Sequence, residues 1–282
     1  MSLDLKFLKS LRDNLLDLSA RVLKELGDSG NDLKQGNKNE IVTKADDAVE
    51  NEVIDYLRRH KIKANLDGEE RRRSKITANP DMLVVLDPVD GTYRFWRNFL
   101  PYSTVVTIFD SPEPRTLGEG AVTGIIDHTT RRIWRTSRNE PVFLYEPRLG
   151  REVEVKASGA VHLNGDVSGF VDHGPCSKPE DLARFHQLYE KSWVTNISSA
   201  GVHLASVASG NYAGSDYYVC GIQKPEELVS GLMLVENAGG IVADFQGKLI
   251  KNKPYDFDAR YEVIAASTSD LAKEIRANIS GK

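Results

Sequence analysis

Leu83-Val84-Val85-Leu86-Asp87-Pro88-Val89-Asp90-Gly91-Thr92 is the stretch on which the fold turns. Its four leading apolar residues read as a strand buried on both faces. The strand is read as ending at Leu86, where two carboxylates three residues apart follow, with Pro88 stiffening the backbone and Gly91 permitting a tight turn. Carboxylates so spaced can converge on one hard cation while the amides after them point at an anion, a layout that suits a metal with a phosphate. Asp-Pro and Asp-Gly are also ordinary turn dipeptides, and the stretch alone does not choose between the two readings.

Downstream of this strand the chain continues in short β-rich pieces at 103–109, 120–126 and 131–136. After about residue 160 the texture alternates, with helices expected at 179–191, 201–208 and 226–238 and strands at 193–197, 216–219, 241–244 and 262–266. Upstream, Leu8, Leu11, Leu15, Leu18, Val22 and Leu26 form one helical stripe that ends at Gly27, and 27–39 reads as a mobile loop. Thr43 and Asp46 announce a second helix through Val49, Val53, Ile54 and Leu57. The expected plan is an N-terminal α+β subdomain, 1–155, carrying most metal ligands, and a C-terminal α/β subdomain, 156–282, completing the site.

Composition narrows the function. With 282 residues, 40% of them hydrophobic, the chain can bury a full core. Lys+Arg 37 against Asp+Glu 41 gives a net charge of −4, too little to supply a field for nucleic acid or an anionic membrane, so any phosphate binding must be local. The two cysteines, Cys176 and Cys220, fit a reducing compartment, the charged start is no signal peptide, and a cytoplasmic location is expected. The six histidines show no zinc-ligand spacing, there is no G-x-G-x-x-G nucleotide fingerprint, and Trp96 and Trp134 read as packing residues.

Four pieces carry a resemblance. Val42-Thr43-Lys44-Ala45-Asp46, Gly68-Glu69-Glu70, Asp87-Pro88-Val89-Asp90-Gly91-Thr92 and the helix Glu226 to Gly240 occur in the order and at roughly the separations of the inositol monophosphatase family. Taken singly they are a helix cap, an acidic turn, a turn and an amphipathic core helix; their conjunction over residues 40–245 resembles that family of metal-dependent phosphatases. The resemblance implies an α/β layered fold, the α/β/α/β/α sandwich of the inositol monophosphatase and fructose-1,6-bisphosphatase type. It implies a Mg²⁺-dependent phosphomonoesterase acting on small polyol, sugar or nucleotide phosphates, with lithium sensitivity and a homodimer; the charge balance, separately, leaves neither nucleic acid nor membrane as an expected partner. Residue by residue, Glu69, Asp87, the Val89 carbonyl and Asp90 would hold Mg²⁺, with Asp87 bridging two ions; Glu227 is the candidate for the second-metal Asp, unless the acids there merely start a helix. Asp46 and Thr92, with Glu70 among the catalytic residues, would orient and deprotonate the attacking water. Gly91, Thr92, Ser199 and Ala200 would meet phosphate and substrate; Arg94, which the family does not share, is expected there for its charge alone.

Three departures qualify this. The family's Trp-Asp is replaced by Gln223-Lys224-Pro225-Glu226-Glu227, where counting from Ala238-Gly239-Gly240 puts Glu227 in the Asp position and counting from Tyr217-Tyr218 puts Glu226 there. Val219 stands where inositol-specific members have a hydroxyl-reading Glu, so myo-inositol 1-phosphate is not the expected dedicated substrate. Arg71, Arg72, Arg73, Lys75, Arg94 and Arg97 flank the ligands and suit an additional anionic group, unless the first run is merely solvated. The alternatives are therefore a bisphosphatase of the fructose-1,6-bisphosphate or 3′-phosphonucleotide kind, or a catalytically weak relative that binds phosphorylated ligands or a partner.

Overall fold

The structure is a computed structural model that describes residues 32–33, 41–42, 44–96, 101–172, 179–197 and 199–280. The helix expected over Leu8–Leu26, the cap Thr43, Arg97 and Cys176 lie outside these residues. Within 27–39, expected to be a loop, β1 (Asp32–Leu33) pairs antiparallel with β2 (Ile41–Val42).

Eight strands form the larger sheet: β3 (Ala64–Gly68), β4 (Ser74–Lys75), β5 (Met82–Asp90), β6 (Ser103–Phe109), β7 (Gly120–Asp127), β8 (Arg132–Ser137), β9 (Val142–Glu146) and β10 (Arg151–Val155). Their spatial order is β10-β9-β8-β7-β6-β5-β3-β4, and only β3 and β5 run parallel. The smaller sheet holds β11 (Ser168–Asp172), β12 (Trp193–Thr195), β13 (Tyr217–Gln223), β14 (Ile241–Ala243) and β15 (Tyr261–Ala266), ordered β12-β11-β13-β15-β14.

Side-chain parity on these strands dictates the layers. On β5, Val84 and Leu86 face one way and pack on Val49, Val53, Ile54 and Leu57 of α1 (Lys44–Arg59). Leu83 and Val85 face the other way, into a core shared with Leu204 and Val207 of α4 (Ala200–Val207) and Leu228, Leu232 and Val235 of α5 (Pro225–Asn237). The far side of that core is Tyr218 and Val263 of the smaller sheet. The intervening residues Tyr217, Val219 and Ile264 point outward to Phe185 and Leu188 of α3 (Pro179–Lys191) and to Leu271 and Ile275 of α6 (Ser269–Ile279). The order is therefore helix, sheet, helices, sheet, helices: the α/β/α/β/α sandwich expected. The middle pair is buried almost all round because a helix between two sheets has no solvent face to spend on charge. Among the described residues no helix is long and apolar enough to cross a membrane.

One boundary differs from the sequence reading in a way that matters. The strand read as ending at Leu86 runs on through Asp90. Its pairing with β6 shifts between Asp87↔Val105 and Asp90↔Ser103, three steps on β5 against two on β6, which is a one-residue bulge. Pro88, which has no N–H to offer a ladder, sits inside the bulge, and its carbonyl is satisfied by the Thr104 hydroxyl at 2.7 Å.

Candidate functional site

In a regular strand Asp87 and Asp90, three positions apart, would face opposite sides of the sheet. The bulge adds the missing residue of parity and turns both toward the inner layer. One carboxylate oxygen each from Asp87, Asp90 and Glu227 lie within 4.8 Å of one another. Asp87 and Asp90 are 2% and 4% exposed, and Asp87 Oδ1 has no hydrogen-bond partner. Gly91 closes the turn at φ 92°, a conformation side chains resist, and α2 (Thr92–Trp96) starts at once.

Three of the four donors that hold Asp90 come from the opposite half of the chain. Its Oδ2 accepts from Ser103 Oγ at 2.8 Å, Ser199 Oγ at 2.7 Å and the Gly201 amide at 2.7 Å, and its Oδ1 accepts from the Ala200 amide at 3.1 Å. Two of these donors are unpaired first-turn amides of α4, which suit a carboxylate in both geometry and dipole. The approach leaves no room for a methyl group. A Cβ at residue 201 would lie 2.6 Å from Val105 Cγ2, 2.9 Å from Ser103 Oγ and 3.1 Å from Asp90 Oδ2. Gly201→Ala is accordingly expected to cost about 1–3 kcal/mol in urea unfolding and to weaken divalent-ion binding, because the α4 amides must withdraw from Asp90.

Glu69 reaches the site from the end of β3, its amide donating to the Leu86 carbonyl at 3.2 Å beside Asp87. The turn that carries it is anchored from below by Glu50, which is fully buried on α1 one helical turn after Asp46 and accepts the amides of Glu70 at 3.0 Å and Arg71 at 3.3 Å. The Glu69 carboxylate does not join the group of three; its Oε1 takes the Lys224 ammonium at 2.6 Å. Lys224 follows a second one-residue bulge, on β13 between Cys220 and Gln223, a feature that absorbs a single extra residue without disturbing either side. Gln223 then links Tyr218 Oη, which donates to Gln223 Oε1 at 2.7 Å, to Glu227 Oε2, which accepts from Gln223 Nε2. Of the two acids that counting left open, Glu227 is the one brought to Asp87 and Asp90. Glu226 is buried with Oε2 unpartnered.

The electrostatics are those of a cluster short of positive charge. Burial, then the charges of Glu69, Asp90 and Glu227, push Asp87 well above the usual carboxylate range. Burial raises Asp90 too, while its hydroxyl and amide donors pull it part of the way back. Glu227 is pushed well up by burial, against the pull of Lys224. Lys224 is drawn down by burial, but Glu69 and Glu227 outweigh this and leave it above the ordinary lysine value.

Residues 7–281 match the signature of the inositol monophosphatase family. The chain belongs to that family. Among its relatives, Nus factor SuhB of Xylella fastidiosa is 26% identical over 223 residues, 76% of this chain and 72% of that one. The fructose-1,6-bisphosphatase/inositol-1-monophosphatase of Thermotoga maritima is 23% identical over 282 residues, 95% of this chain and 99% of that one. A solved Thermotoga maritima IMPase superposes with a TM-score of 0.76 at 19% identity, covering 98% of this chain and 96% of its own. An IMPase/NADP phosphatase complexed with Mg²⁺ and phosphate does so at 0.76 and 14% identity, covering 98% and 95%. At these identities the superpositions establish the inositol monophosphatase fold.

The other expected site residues of this family member fall as follows. Asp46 is buried in the first turn of α1. The Val89 carbonyl, expected to face an ion, accepts the Thr92 hydroxyl at 2.8 Å; a second lone pair remains. Arg94 on α2 lies near His203, whose pKa burial and the Arg94 charge together lower to about 3. Of the arginines expected to suit an extra anion, two are spent on the protein itself. Arg71 pairs with Glu50 at 3.6 Å and Asp47 at 3.7 Å and donates to Asn51 at 2.6 Å; Arg72 pairs with Asp258 and lies over the Phe257 ring. Sequence reasoning missed Glu50, although its i+4 spacing from Asp46 places both on one helix face. It also missed Lys224, for which no local signal exists.

Proposed function

We propose that this chain is a Mg²⁺-dependent phosphomonoesterase acting on small phosphorylated metabolites such as polyol, sugar or nucleotide phosphates. The observation that carries this is the convergence of Asp87, Asp90 and Glu227 within 4.8 Å, with a buried Asp87 oxygen that no donor satisfies. The donor set is all hard oxygen, as Mg²⁺ prefers, and its raised carboxyl pKa values mark an environment that a divalent cation would relieve. When bound, Mg²⁺ supplies Lewis-acid polarisation of the phosphoryl oxygens and neutralises charge on the leaving oxygen.

The chain's own residues divide the remaining work. Asp90, fixed by four donors, cannot rotate away as substrate enters. The Thr92 hydroxyl has given its proton to the Val89 carbonyl, so toward an attacking water it can only accept, which orients that water. Asp46 and Glu70 are assigned the departing proton, and the amides of Gly91 and Thr92 the phosphate. Arg94, on the helix that follows, together with Ser199 and Ala200, is assigned the remainder of the substrate.

A bisphosphatase is the second reading, supported by Arg94 and by the name of the Thermotoga relative that spans 95% of this chain. A weakly active relative that binds a phosphorylated ligand or partner is a third, drawing on the commitment of Glu69 to Lys224. Phosphate release from a panel of sugar, polyol and nucleotide mono- and bisphosphates distinguishes them. The expected result is turnover that needs Mg²⁺ and stops with EDTA; ligand binding without turnover overturns the enzyme reading. Arg94→Ala should raise the KM of a bisphosphate more than that of its monophosphate analogue; equal factors leave Arg94 no role in a second anion.

A further inference from the structure

Lys224 is no wandering surface lysine. It occupies the N-cap of α5 in an extended conformation, φ −81° and ψ 150°, with Pro225 fixing the next residue and its own amide donating to Glu227 Oε2 at 3.3 Å. Its side chain is 24% exposed and that of Glu69 13%, so their 2.6 Å contact is a shielded, charge-assisted pair. The same backbone that caps the helix aims the ammonium across 155 residues of sequence separation into the acidic cluster. Glu227 is turned by the same segment: Gln223 Nε2 and the Lys224 amide both go to its Oε2, which offers Oε1 to an ion. The result is a partition. Asp87, Asp90 and Glu227 form a tight trio of oxygens, and Glu69 stands outside it, neutralised.

Resting on the metal-dependent reading, we propose that Lys224 is a built-in cation that takes the charge and position of one divalent ion at Glu69, so that this chain holds a single divalent ion, on Asp87, Asp90 and Glu227. A second ion at Glu69 would have to displace the ammonium from Oε1 or share the carboxylate with it through Oε2, in either case a like-charge encounter in a shielded site. A fixed ammonium has one further consequence: its charge does not dissociate, so the site keeps part of its positive field at low free metal.

The test counts ions rather than turnover. Mn²⁺ binding to the full chain without substrate is followed by calorimetry and by the electron paramagnetic resonance signal, in which adjacent Mn²⁺ ions are spin-coupled. Wild type and Lys224→Arg are expected to bind one Mn²⁺ per chain up to millimolar concentration with no coupled signal. Lys224→Met, with folding checked by circular dichroism, should gain a second, spin-coupled Mn²⁺ at least tenfold tighter than any second ion on wild type. Two coupled ions on wild type overturn the proposal while leaving metal dependence intact, and this arm needs no variant to fold. A folded Lys224→Met that still takes one ion also overturns it. No Mn²⁺ on wild type at all removes the metal-dependent reading itself.

Discussion

Asp90→Asn is expected to lower kcat/KM for phosphate release by about a thousandfold or more, a loss of roughly 4 kcal/mol in transition-state stabilisation, and to remove tight divalent-ion binding. The substitution keeps the shape and deletes the charge. It also sets an amide against donors that cannot turn. The Asn oxygen can serve the three donors now on Oδ2, but its NH₂ then faces the Ala200 amide, which is fixed in the first turn of α4. One donor left opposed costs about 1–3 kcal/mol, set against the relief of no longer burying a carboxylate. Urea unfolding in EDTA should therefore move little while activity collapses, and that dissociation marks Asp90 as functional rather than structural. Retention of more than a tenth of wild-type activity would remove Asp90 from the site.

The second large effect is on the metal-free chain, which is expected to lose stability as pH rises from about 4 to 8. Asp87, Asp90, Glu226 and Glu227 all have folded-state pKa values above their ordinary ones. Between the unfolded and folded values the native state binds more protons than the unfolded state, so the slope of stability with pH is negative there. For Glu226 the window runs from 4.5 to about 6, and that residue alone contributes roughly 2 kcal/mol of lost stability across it. Asp110 and Asp244, lowered respectively by bonds to Arg138 and, against burial, to Lys253, act oppositely, their stability present above 3.8 and lost as pH falls below it. So does His203, lowered by burial to about 3, whose stability is present above 6.5 and lost as pH falls below it. The decline from pH 5 to 8 is therefore carried by the three clustered carboxyls of Asp87, Asp90 and Glu227. Thermal melts at pH 5 and pH 8 should show a lower Tm at pH 8 in EDTA, with saturating Mg²⁺ flattening the difference. Asp87→Asn should raise the pH 8 Tm in EDTA and abolish the gain from Mg²⁺. A Tm in EDTA that climbs with pH contradicts this account of the cluster.

Much of the frame was legible because apolar texture reports burial directly. Leu83–Leu86 had to be a doubly buried strand, and the strand and helix alternation after residue 160 is met within a few residues by β12, α4, β13, α5, β14 and β15. Val142–Glu146 was overlooked despite its apolar alternation, and other overlooked elements have a weak or mixed signal. Arg151–Val155 alternates charged with apolar residues, as an edge strand does, and Ser168–Asp172 is short and carries a glycine. The α6 helix starts at a Ser-Asp pair that reads equally well as a turn until Thr268 is seen to accept the Leu271 amide at 3.2 Å.

In the site, the motif residues were readable and their division of labour was not. Asp87 and Asp90 looked like a turn because strand parity forbids two residues three apart from sharing a face, and only the pairing with β6 reveals the bulge that permits it. Glu226 and Glu227 could not be told apart by counting, since the answer depends on where β13 takes up an extra residue. Lys224 had no local signature: a lysine before a proline is unremarkable until Glu69 is brought to it.

The grip of α4 on Asp90 also orders events in time. A chain made from its N-terminus presents Asp87 and Asp90 more than a hundred residues before Ser199, Ala200 and Gly201 exist to hold them. Until then the larger sheet carries two uncompensated carboxylates at its inner face, and closing such distant contacts is the slow part of assembly. The full set of donors around Asp90 is thus among the last features the nascent protein acquires, arriving when α4 packs on the larger sheet and not when that sheet forms.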